Sequence, residues 1–410
     1  MLSIIIDRGR KIAEIRNSIP LDTVIKSTVR EKAVAFLQLC QIDSSHYSLT
    51  PQAEPTPYAR CFAIYLMHLL RSPQLTEMAE VLAAAVIADV RGMRASLGKG
   101  SELQGKPYRQ LLTFSLSALA LLPARGPQAL NDLVLEQLPD DIAGELTHYG
   151  CLDGVAGSGN QAMFQAVFLL HARDYIGKDT GPKIDQWVSL HLSRINYFGF
   201  WGKSSGMTHL QFQNGYHQHE ILEYLGIDSP KMSETLVAMR TLADGEGHFA
   251  PYPGGGGCYD YDAIFMLTPN GRIPDEQTQT ILLQCAKVVA QEQRTNGGFA
   301  ESVYIRPRTV SNLGRSLSHV GTALGNGPLF KERLRYALTL QRPKHDTIHT
   351  HWSRYSRRWD EADLWDTWFR LLLLARIDVA LNPKNSSSWG FINYPGIGYH
   401  PSLRQKKTEL

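Results

Sequence analysis

The turn Gly247-His248-Phe249-Ala250-Pro251-Tyr252 has two relatives in this sequence, Gly199-Phe200-Trp201-Gly202 and Gly297-Gly298-Phe299-Ala300-Glu301-Ser302. A fourth, degenerate copy, His351-Trp352-Ser353-Arg354-Tyr355, keeps an aromatic residue and lacks the glycine. The aromatic residues of the four copies follow one another at steps of 49, 50 and 53 residues: Phe200, Phe249, Phe299 and Trp352. A regular period of this length indicates a repeat architecture, because each unit must stack on its neighbours to bury its apolar face.

Helical periodicity dominates the stretches between these turns. Each unit is predicted to hold two helices, for example 219–225 with 233–242, and 260–267 with 276–291. About fifty residues per helix pair and few repeats favour an all-α protein, an α/α toroid, in which one helix of each pair lines the centre. We expect an N-terminal helical region over 1–150 that is continuous with the toroid, toroid repeats with the active cavity over 151–400, and a basic tail over 401–410.

Composition narrows the classes of function. A net charge of +3 on 410 residues gives no argument for nucleic-acid binding. Hydrophobic residues make up 43% of the chain, which predicts a large core rather than disorder. The five cysteines form no CxxC pair, a pattern that fits a reducing compartment. The apolar residues 1–6 end at Asp7, far short of a membrane span. We therefore expect a cytoplasmic protein with no membrane span, cofactor or nucleic-acid partner.

Two carboxylates, Asp260 and Asp262, follow the tetraglycine loop 254–257 and enter an apolar helix. Asp260 is explained equally well as a helix cap or a first-turn acid that the helix dipole stabilises. Asp262 precedes the run 263–267, which must be buried, so an acid of this pair is predicted to face an interior. A carboxylic acid in an apolar pocket has a raised pKa and can donate a proton. Both residues are therefore catalytic candidates, with Asp262 first.

The preceding unit places His217, His219 and Glu220 at a predicted helix start. The two histidines stand two residues apart and point to different sides of a helix, so they are not a helical metal pair, and no metal site is predicted. One interpretation is a capped helix start with a satisfied histidine. The other is a catalytic group in which His217 or His219 exchanges a proton with Asp262 while Glu220 converges on it.

Aromatic, basic and acidic residues form the predicted substrate-binding surface. Its members are Tyr252, Tyr259, Tyr261, Trp352, Arg354, Arg357, Arg358, Asp360 and Asp363. The arginine forks suit a phosphate or a carboxylate, although a solvated surface cluster is the alternative. Asp360 and Asp363 are predicted to share one helical face.

The turn Gly247-His248-Phe249 with the later Tyr259-Asp260-Tyr261-Asp262-Ala263 resembles class II terpene cyclases, which carry an Asp-x-Asp-Asp motif on an inner helix of an α/α barrel. Gln293-Arg294-Thr295-Asn296-Gly297-Gly298-Phe299 is similar to the Gln-x-x-x-Gly-x-Trp core of their repeat. The resemblance covers roughly residues 150 to 400. It implies that Asp262 is the general acid and Asp260 the first aspartate of the motif, whereas Ala263 replaces the last one. Protein prenyltransferase β-subunits and several glycan-processing hydrolases and lyases use the same toroid.

The sequence thus predicts a terpene-cyclase-like enzyme, a cyclase or isomerase, that protonates an isoprenoid-type substrate with an aspartic acid. The second hypothesis is a polysaccharide lyase or hydrolase, in which the arginines neutralise an acidic glycan. The third is a non-catalytic helical-repeat scaffold that binds a partner. The expected ligand is accordingly a small molecule or an oligosaccharide.

Overall fold

The computed structural model describes residues 27–98, 102–270 and 272–400. The α-helices of these ranges are α1 Ser27–Cys40, α2 Pro57–Leu69, α3 Gln74–Glu77, α4 Ala79–Ser96, α5 Lys106–Leu121, α6 Asn131–Leu135, α7 Ile142–His148, α8 Ser158–His171, α9 Gly181–Ser193, α10 His209–Leu225, α11 Met232–Leu242, α12 Gly257–Leu267, α13 Glu276–Gln291, α14 Val310–Gly321, α15 Gly327–Leu340 and α16 Leu364–Leu381. Four two-residue strands, β1 Phe299–Ala300, β2 Thr347–Ile348, β3 Arg357–Arg358 and β4 Ala362–Asp363, pair antiparallel as β1 with β4 and β2 with β3.

Six helices form a closed ring. Helix α2 packs against α5, α5 against α8, α8 against α10, α10 against α12, α12 against α16, and α16 against α2. This closure confirms the predicted all-α toroid. Two ring members, α2 and α5, come from the first 150 residues of the chain. Within the described ranges, none of the helices is both long and apolar enough to cross a bilayer.

Outer helices alternate with the ring helices along the chain and pack on them: α4 on α2 and α5, α9 on α8, α11 on α12, and α13 and α1 on α16. The two kinds of helix differ in sequence as this arrangement requires. Every residue of α12 except Cys258 is buried. Helix α13 instead buries one stripe, Thr278, Leu282, Cys285, Ala286 and Val289. A helix that is apolar on all sides belongs inside a core, and one with a single apolar stripe belongs on its surface.

The three glycine turns share one backbone geometry. Residues 196, 244 and 294 each donate their N–H to the carbonyl four residues on, at 2.7, 2.8 and 2.9 Å. The glycine three residues on has a φ of 80°, 95° or 93°: Gly199, Gly247 and Gly297. Each glycine is followed two residues later by a buried aromatic residue: Trp201, Phe249 and Phe299. By this geometry the equivalent of Phe249 in the first turn is Trp201, one residue beyond the marker Phe200 chosen from the sequence.

The predicted helix start at 219 is wrong, because α10 begins at His209, where Thr208 caps the N–H of Gln211. His217, His219 and Glu220 therefore lie inside a long buried helix. The polar, glycine-containing stretch 209–218 does not look helical. Gly215 is nevertheless required there, since a side chain at this position would collide with the ring of Phe200.

The degenerate fourth copy does not form the same turn. Residues 351–355 lie between β2 and β3 and do not lead into a helix. The predicted helical face of Asp360 and Asp363 is also wrong. Asp360 lies in the turn between β3 and β4, while Asp363 caps α16 by accepting the N–H of Asp366 at 2.7 Å. The pairing of Asp363 with Phe299 in the β1–β4 ladder holds this segment extended until the cap.

Replacing Gly247 tests the role of the positive φ. We expect Gly247→Ala to lower the free energy of unfolding by about 1–2 kcal/mol, because an L-residue is strained in the left-handed region, and its Cβ would lie only 3.2 Å from the backbone nitrogen of Cys285. Gly314→Ala is the matched control, since that glycine is helical and has open space around it. It should gain about 0.5–1 kcal/mol. Urea unfolding of both variants checks the difference, and equal shifts would contradict it.

Candidate active site

The N-terminal turns of α5, α12 and α16 meet at one rim of the ring. Lys106 is the first residue of α5, Cys258 the second of α12 and Asp366 the third of α16. Lys106 and Asp366 each interact electrostatically with Cys258, and a side chain at Gly257 would touch Asp366. Three helix N-termini, each with a positive dipole end, therefore lie close together.

Asp262 lies one turn beyond Cys258 on the same face of α12. The residue is only 4% exposed, and its Oδ1 is enclosed without a hydrogen-bond partner in the described part of the chain. Burial raises the pKa of this carboxyl well above its usual range, and the charges of Glu220 and Asp260 raise it further. These surroundings favour the protonated form of Asp262, which is the state that a proton donor needs.

Asp260 has the opposite surroundings. Its Oδ1 accepts the N–H of Phe249 at 2.7 Å, and its Oδ2 lies 2.8 Å from Nδ1 of His248 and contacts the guanidinium of Arg370. Gly255, with a φ of 64°, brings the tetraglycine loop so close that a side chain there would collide with Asp260. Asp260 thus fastens the glycine turn to α12 and α16, and both of its oxygens are engaged.

His217 and Glu220 lie one helical turn apart on α10. Nδ1 of His217 is 4.0 Å from Oε2 of Glu220, and neither atom has a hydrogen-bond partner among the described residues. Oε1 of Glu220 accepts the hydroxyl of Tyr216 at 3.0 Å and the N–H of Tyr399 at 3.1 Å. Burial lowers the pKa of His217 to about 3, aided by the charge of Lys106, and burial raises that of Glu220. His217 is therefore a neutral imidazole that can accept a proton.

His219 takes part in packing instead. Its Nε2 lies 2.7 Å from the carbonyl oxygen of Gly199, and its ring contacts Phe200 and Trp201. Burial lowers its pKa to about 4, so the ring is neutral. Residues two apart point to different sides of a helix, and His219 supports the first glycine turn rather than joining His217.

Arg357 is buried among carboxylates. Its guanidinium lies 3.2 Å from Glu301 and 2.8 Å from Asp366, and it contacts Asp363. These partners outweigh the effect of burial and raise the pKa of Arg357. The arginine thus stabilises β3 against α16 and the third glycine turn, and its charge is already compensated.

Arg354 and Arg358 are exposed and do not join Arg357 in one anion-binding group. Arg358 pairs with Asp360 at 3.1 Å, and the backbone N–H of Arg354 donates to Glu54. These three candidates from the sequence lie outside the enclosed rim.

A chain of aromatic rings runs from the β2–β3 turn across the ring. The ring centroids of Trp352 and Trp365 are 4.5 Å apart, and those of Trp365 and Phe369 are 4.4 Å apart. Phe369 lies 5.4 Å from Tyr261, the neighbour of Asp262 in the chain, and Tyr261 lies 6.3 Å from Tyr216 on α10. The predicted binding residues Trp352 and Tyr261 thus belong to one aromatic wall, and two of its rings, Tyr216 and Tyr261, interact electrostatically with Asp262.

Tyr252 and Tyr259 lie together on the other side of the tetraglycine loop. The Tyr252 hydroxyl donates to Glu301 at 2.5 Å, and the two tyrosine rings are 6.2 Å apart. Burial raises the pKa of both tyrosines well above the usual range, so both hydroxyls stay neutral. Burial and the charge of Asp366 also raise the pKa of Glu301.

Sequence reasoning misses three charged residues of this rim, Lys106, Glu301 and Asp366. Glu301 lies within the third glycine turn, four residues after Gly297, so the repeat itself was the signal that identifies it. Lys106 lies before the recognised repeats and has no such signal. Among the described residues, no three His, Cys, Asp or Glu side chains are grouped to hold a metal ion.

No family model and no curated protein matches this sequence. The solved structures that are similar include type II terpene cyclase MstE from Scytonema in a complex with geranylgeranyl dihydroxybenzoate, with a TM-score of 0.42 and 14% identity over 68% of this chain and 81% of that chain. A second MstE structure, with merosterolic acid A, has a TM-score of 0.41 and 13% identity over 68% of this chain and 82% of that chain.

Paired asparagine substitutions separate the two aspartates. We expect Asp260→Asn to lower the free energy of unfolding by about 3–5 kcal/mol, because Arg370 and His248 lose a buried partner. Asp262→Asn should instead gain stability relative to the parent as pH rises. The parent carboxyl binds its proton more tightly when folded, so above an unfolded pKa of about 4 its contribution falls with pH. Urea unfolding at pH 5 and pH 8 checks this, and parallel pH profiles would contradict it.

Proposed function

We propose that this chain is an enzyme in which Asp262 protonates a carbon–carbon double bond of an isoprenoid-type substrate and so starts a cyclisation or isomerisation. The observation that carries the proposal is the enclosed Asp262 carboxyl, with a raised pKa and an unpartnered oxygen, beside an aromatic wall. A protonated acid with no internal acceptor is available to an apolar substrate.

Protonation of an alkene converts two neutral groups into a carboxylate and a carbocation. In a site from which water is excluded, their attraction is much stronger than in water.

The aromatic wall supplies the second requirement, which is stabilisation of the cation. The faces of Trp365, Phe369 and Tyr261 carry negative electrostatic potential and attract positive charge without attacking it. The rings succeed one another at 4.4 and 5.4 Å, so a cation that migrates along the substrate can keep an aromatic neighbour.

His217 supports the final step, the loss of a proton. Its pKa of about 3 leaves the imidazole neutral at pH 7, and a carbocation is acidic enough to protonate it. Glu220, with Oε2 at 4.0 Å, lies beside the resulting imidazolium. The proton given by Asp262 and the proton taken by His217 balance, so the reaction needs no oxidant or reductant.

The arginines do not support the acidic-glycan alternative. A uronate site needs unpaired cations, whereas Arg357 contacts three carboxylates and Arg358 pairs with Asp360. A purely structural scaffold leaves the buried, unpartnered oxygens of Asp262 and Glu220 without a role, although each costs free energy of folding.

Activity assays on a panel of linear polyprenyl alcohols, their diphosphates and squalene test the role of Asp262. We expect a cyclised or isomerised product, with one deuterium incorporated in D₂O, and a loss of about 10²–10⁴-fold in turnover for Asp262→Asn. Asp360→Asn, at an exposed ion pair, is the control and should keep full activity. A fully active Asp262→Asn enzyme, or a product without deuterium, would contradict the proposal.

His217→Gln tests the terminating base. We expect turnover to fall by about ten-fold or more, with a shift from deprotonated alkenes to water-quenched alcohols, because the cation persists until water captures it. His219→Gln should lower the melting temperature and leave the product ratio unchanged, since His219 bonds the Gly199 carbonyl. Chromatography of the products measures both, and an unchanged product ratio for His217→Gln argues against this role.

A further inference from the structure

The hairpin of α14 and α15 exposes a large apolar face. Six of the fourteen exposed large apolar side chains of the described ranges lie on it or on its connection: Val310, Leu313, Leu317, Leu324, Leu334 and Leu338. Leu317 and Leu324 are each 75% exposed. Scattered apolar side chains are normal on a surface, but a concentration of this kind marks a binding surface.

The exposed face is built into the fold. Val310, Leu313 and Leu317 lie at i, i+3 and i+7 and so share one side of α14, while the other side buries His319 and Val320. Nδ1 of His319 lies 3.2 Å from Oδ2 of Asp244, so the helix is held against the second glycine turn while its leucines are exposed.

Helix α15 is fixed to the ring in the same way. The guanidinium of Arg333 donates to the carbonyl of Leu242 at 2.7 Å. Glu332 accepts the N–H groups of His209 and Leu210 at 2.6 and 3.0 Å. The hairpin is therefore a rigid surface that presents Leu334 and Leu338 to solvent.

The hairpin region is also strongly basic. Residues 306–344 contain eight Lys or Arg and a single acidic residue, Glu332. Arg306 and Arg308 pair with Asp346, Arg315 pairs with Glu246, and Arg333 is buried. Four of these cations are exposed and have no ion-pair partner among the described residues: Lys331, Arg335, Arg342 and Lys344. Glu332 is buried and bonds the first N–H groups of α10, and its charge interacts with that of Arg335.

We propose that this face docks on an anionic lipid surface, with the leucines in the interfacial layer and the basic side chains on lipid phosphates. An amphipathic helix with a basic margin binds in this way, by apolar burial combined with electrostatic attraction. Charge argues against two other occupants. A second copy would bring the same four exposed cations into contact with each other, and residues 1–26, with five basic and three acidic side chains, carry charge of the same sign.

Vesicle co-sedimentation of the full chain tests the proposal with phosphatidylcholine vesicles and with vesicles that contain 30% phosphatidylglycerol. We expect binding to the anionic vesicles and little to the neutral ones. Leu317→Ser with Leu324→Ser should weaken binding at least ten-fold. Arg335→Ser with Arg342→Ser should weaken it roughly 30-fold, about five-fold for each charge. The control is Leu39→Ser with Ile42→Ser, two residues that are exposed elsewhere and should bind as the parent does.

Three results would overturn the docking face. The first is no preference for anionic vesicles. The second is binding that depends on the arginines and ignores the leucine pair, which is adsorption by charge alone. The third is a dimer in light scattering without vesicles that the leucine pair dissociates, because a second copy then covers the face. Unchanged melting temperatures of the doubly substituted variants show that the surface was altered without unfolding.

Discussion

A buried ion cluster links the repeating turn to the ring. Arg370 of α16 contacts Asp260 of α12 and lies 3.8 Å from Glu292, while His248 lies 2.8 Å from Asp260 and 3.1 Å from Glu292. Burial opposes the charge of His248, but Glu292 and Asp260 outweigh it and raise its pKa well above the usual range. Two acidic and two basic side chains thus pair in a largely buried site. Removal of any one leaves a buried charge unpaired, so the cluster is a constraint on the surrounding elements.

The ion cluster gives the two acids of α12, Asp260 and Asp262, different surroundings. Asp260 is engaged by the cluster, so the glycine loop is closed and the starts of α12 and α16 are in register. Asp262, half a turn further on, points away from the cations that would ionise it. Its neighbours are Glu220 and the aromatic wall, which favour the neutral acid. One short sequence therefore contains a carboxylate with both oxygens engaged and a carboxyl whose protonated form is favoured, and their surroundings, not their residue type, make the difference.

Part of the ring could be predicted because three of its units carry the same glycine with a positive φ, and a local turn is visible in local sequence. The period therefore predicted helix pairs, and the structure closes them. Only some residues of the candidate site could be predicted from the sequence. Asp262 stands out in the sequence as an acid directly before an apolar run, and Glu220 as an acid beside two histidines. The carboxylates that balance the charge of Arg357 were not predicted, and neither was the interaction of Lys106 with Cys258. These contacts depend on the tertiary fold, and no local sequence pattern indicates them. The start of α10 was predicted too far along the chain because a glycine such as Gly215 is typical of a loop. The ring of Phe200 packs against Gly215 and explains a glycine inside this helix, but the sequence does not show that contact.

Ala263 stands where the resembling motif carries its last aspartate, so α12 has only the two carboxyls of Asp260 and Asp262. Ala263 itself is fully buried. Glu220 brings a second carboxylate to Asp262 from the neighbouring helix α10 instead. Two carboxyls that share an enclosed site cannot both ionise cheaply, so one proton is retained between them. Tyr216 and the Tyr399 N–H bond one oxygen of Glu220 and offset part of the effect of burial on its pKa, whereas Asp262 has no such donors. The carboxyl of Glu220 on α10 thus raises the pKa of Asp262 on α12. In the resembling motif, the neighbouring carboxyl lies on the same helix as the acid.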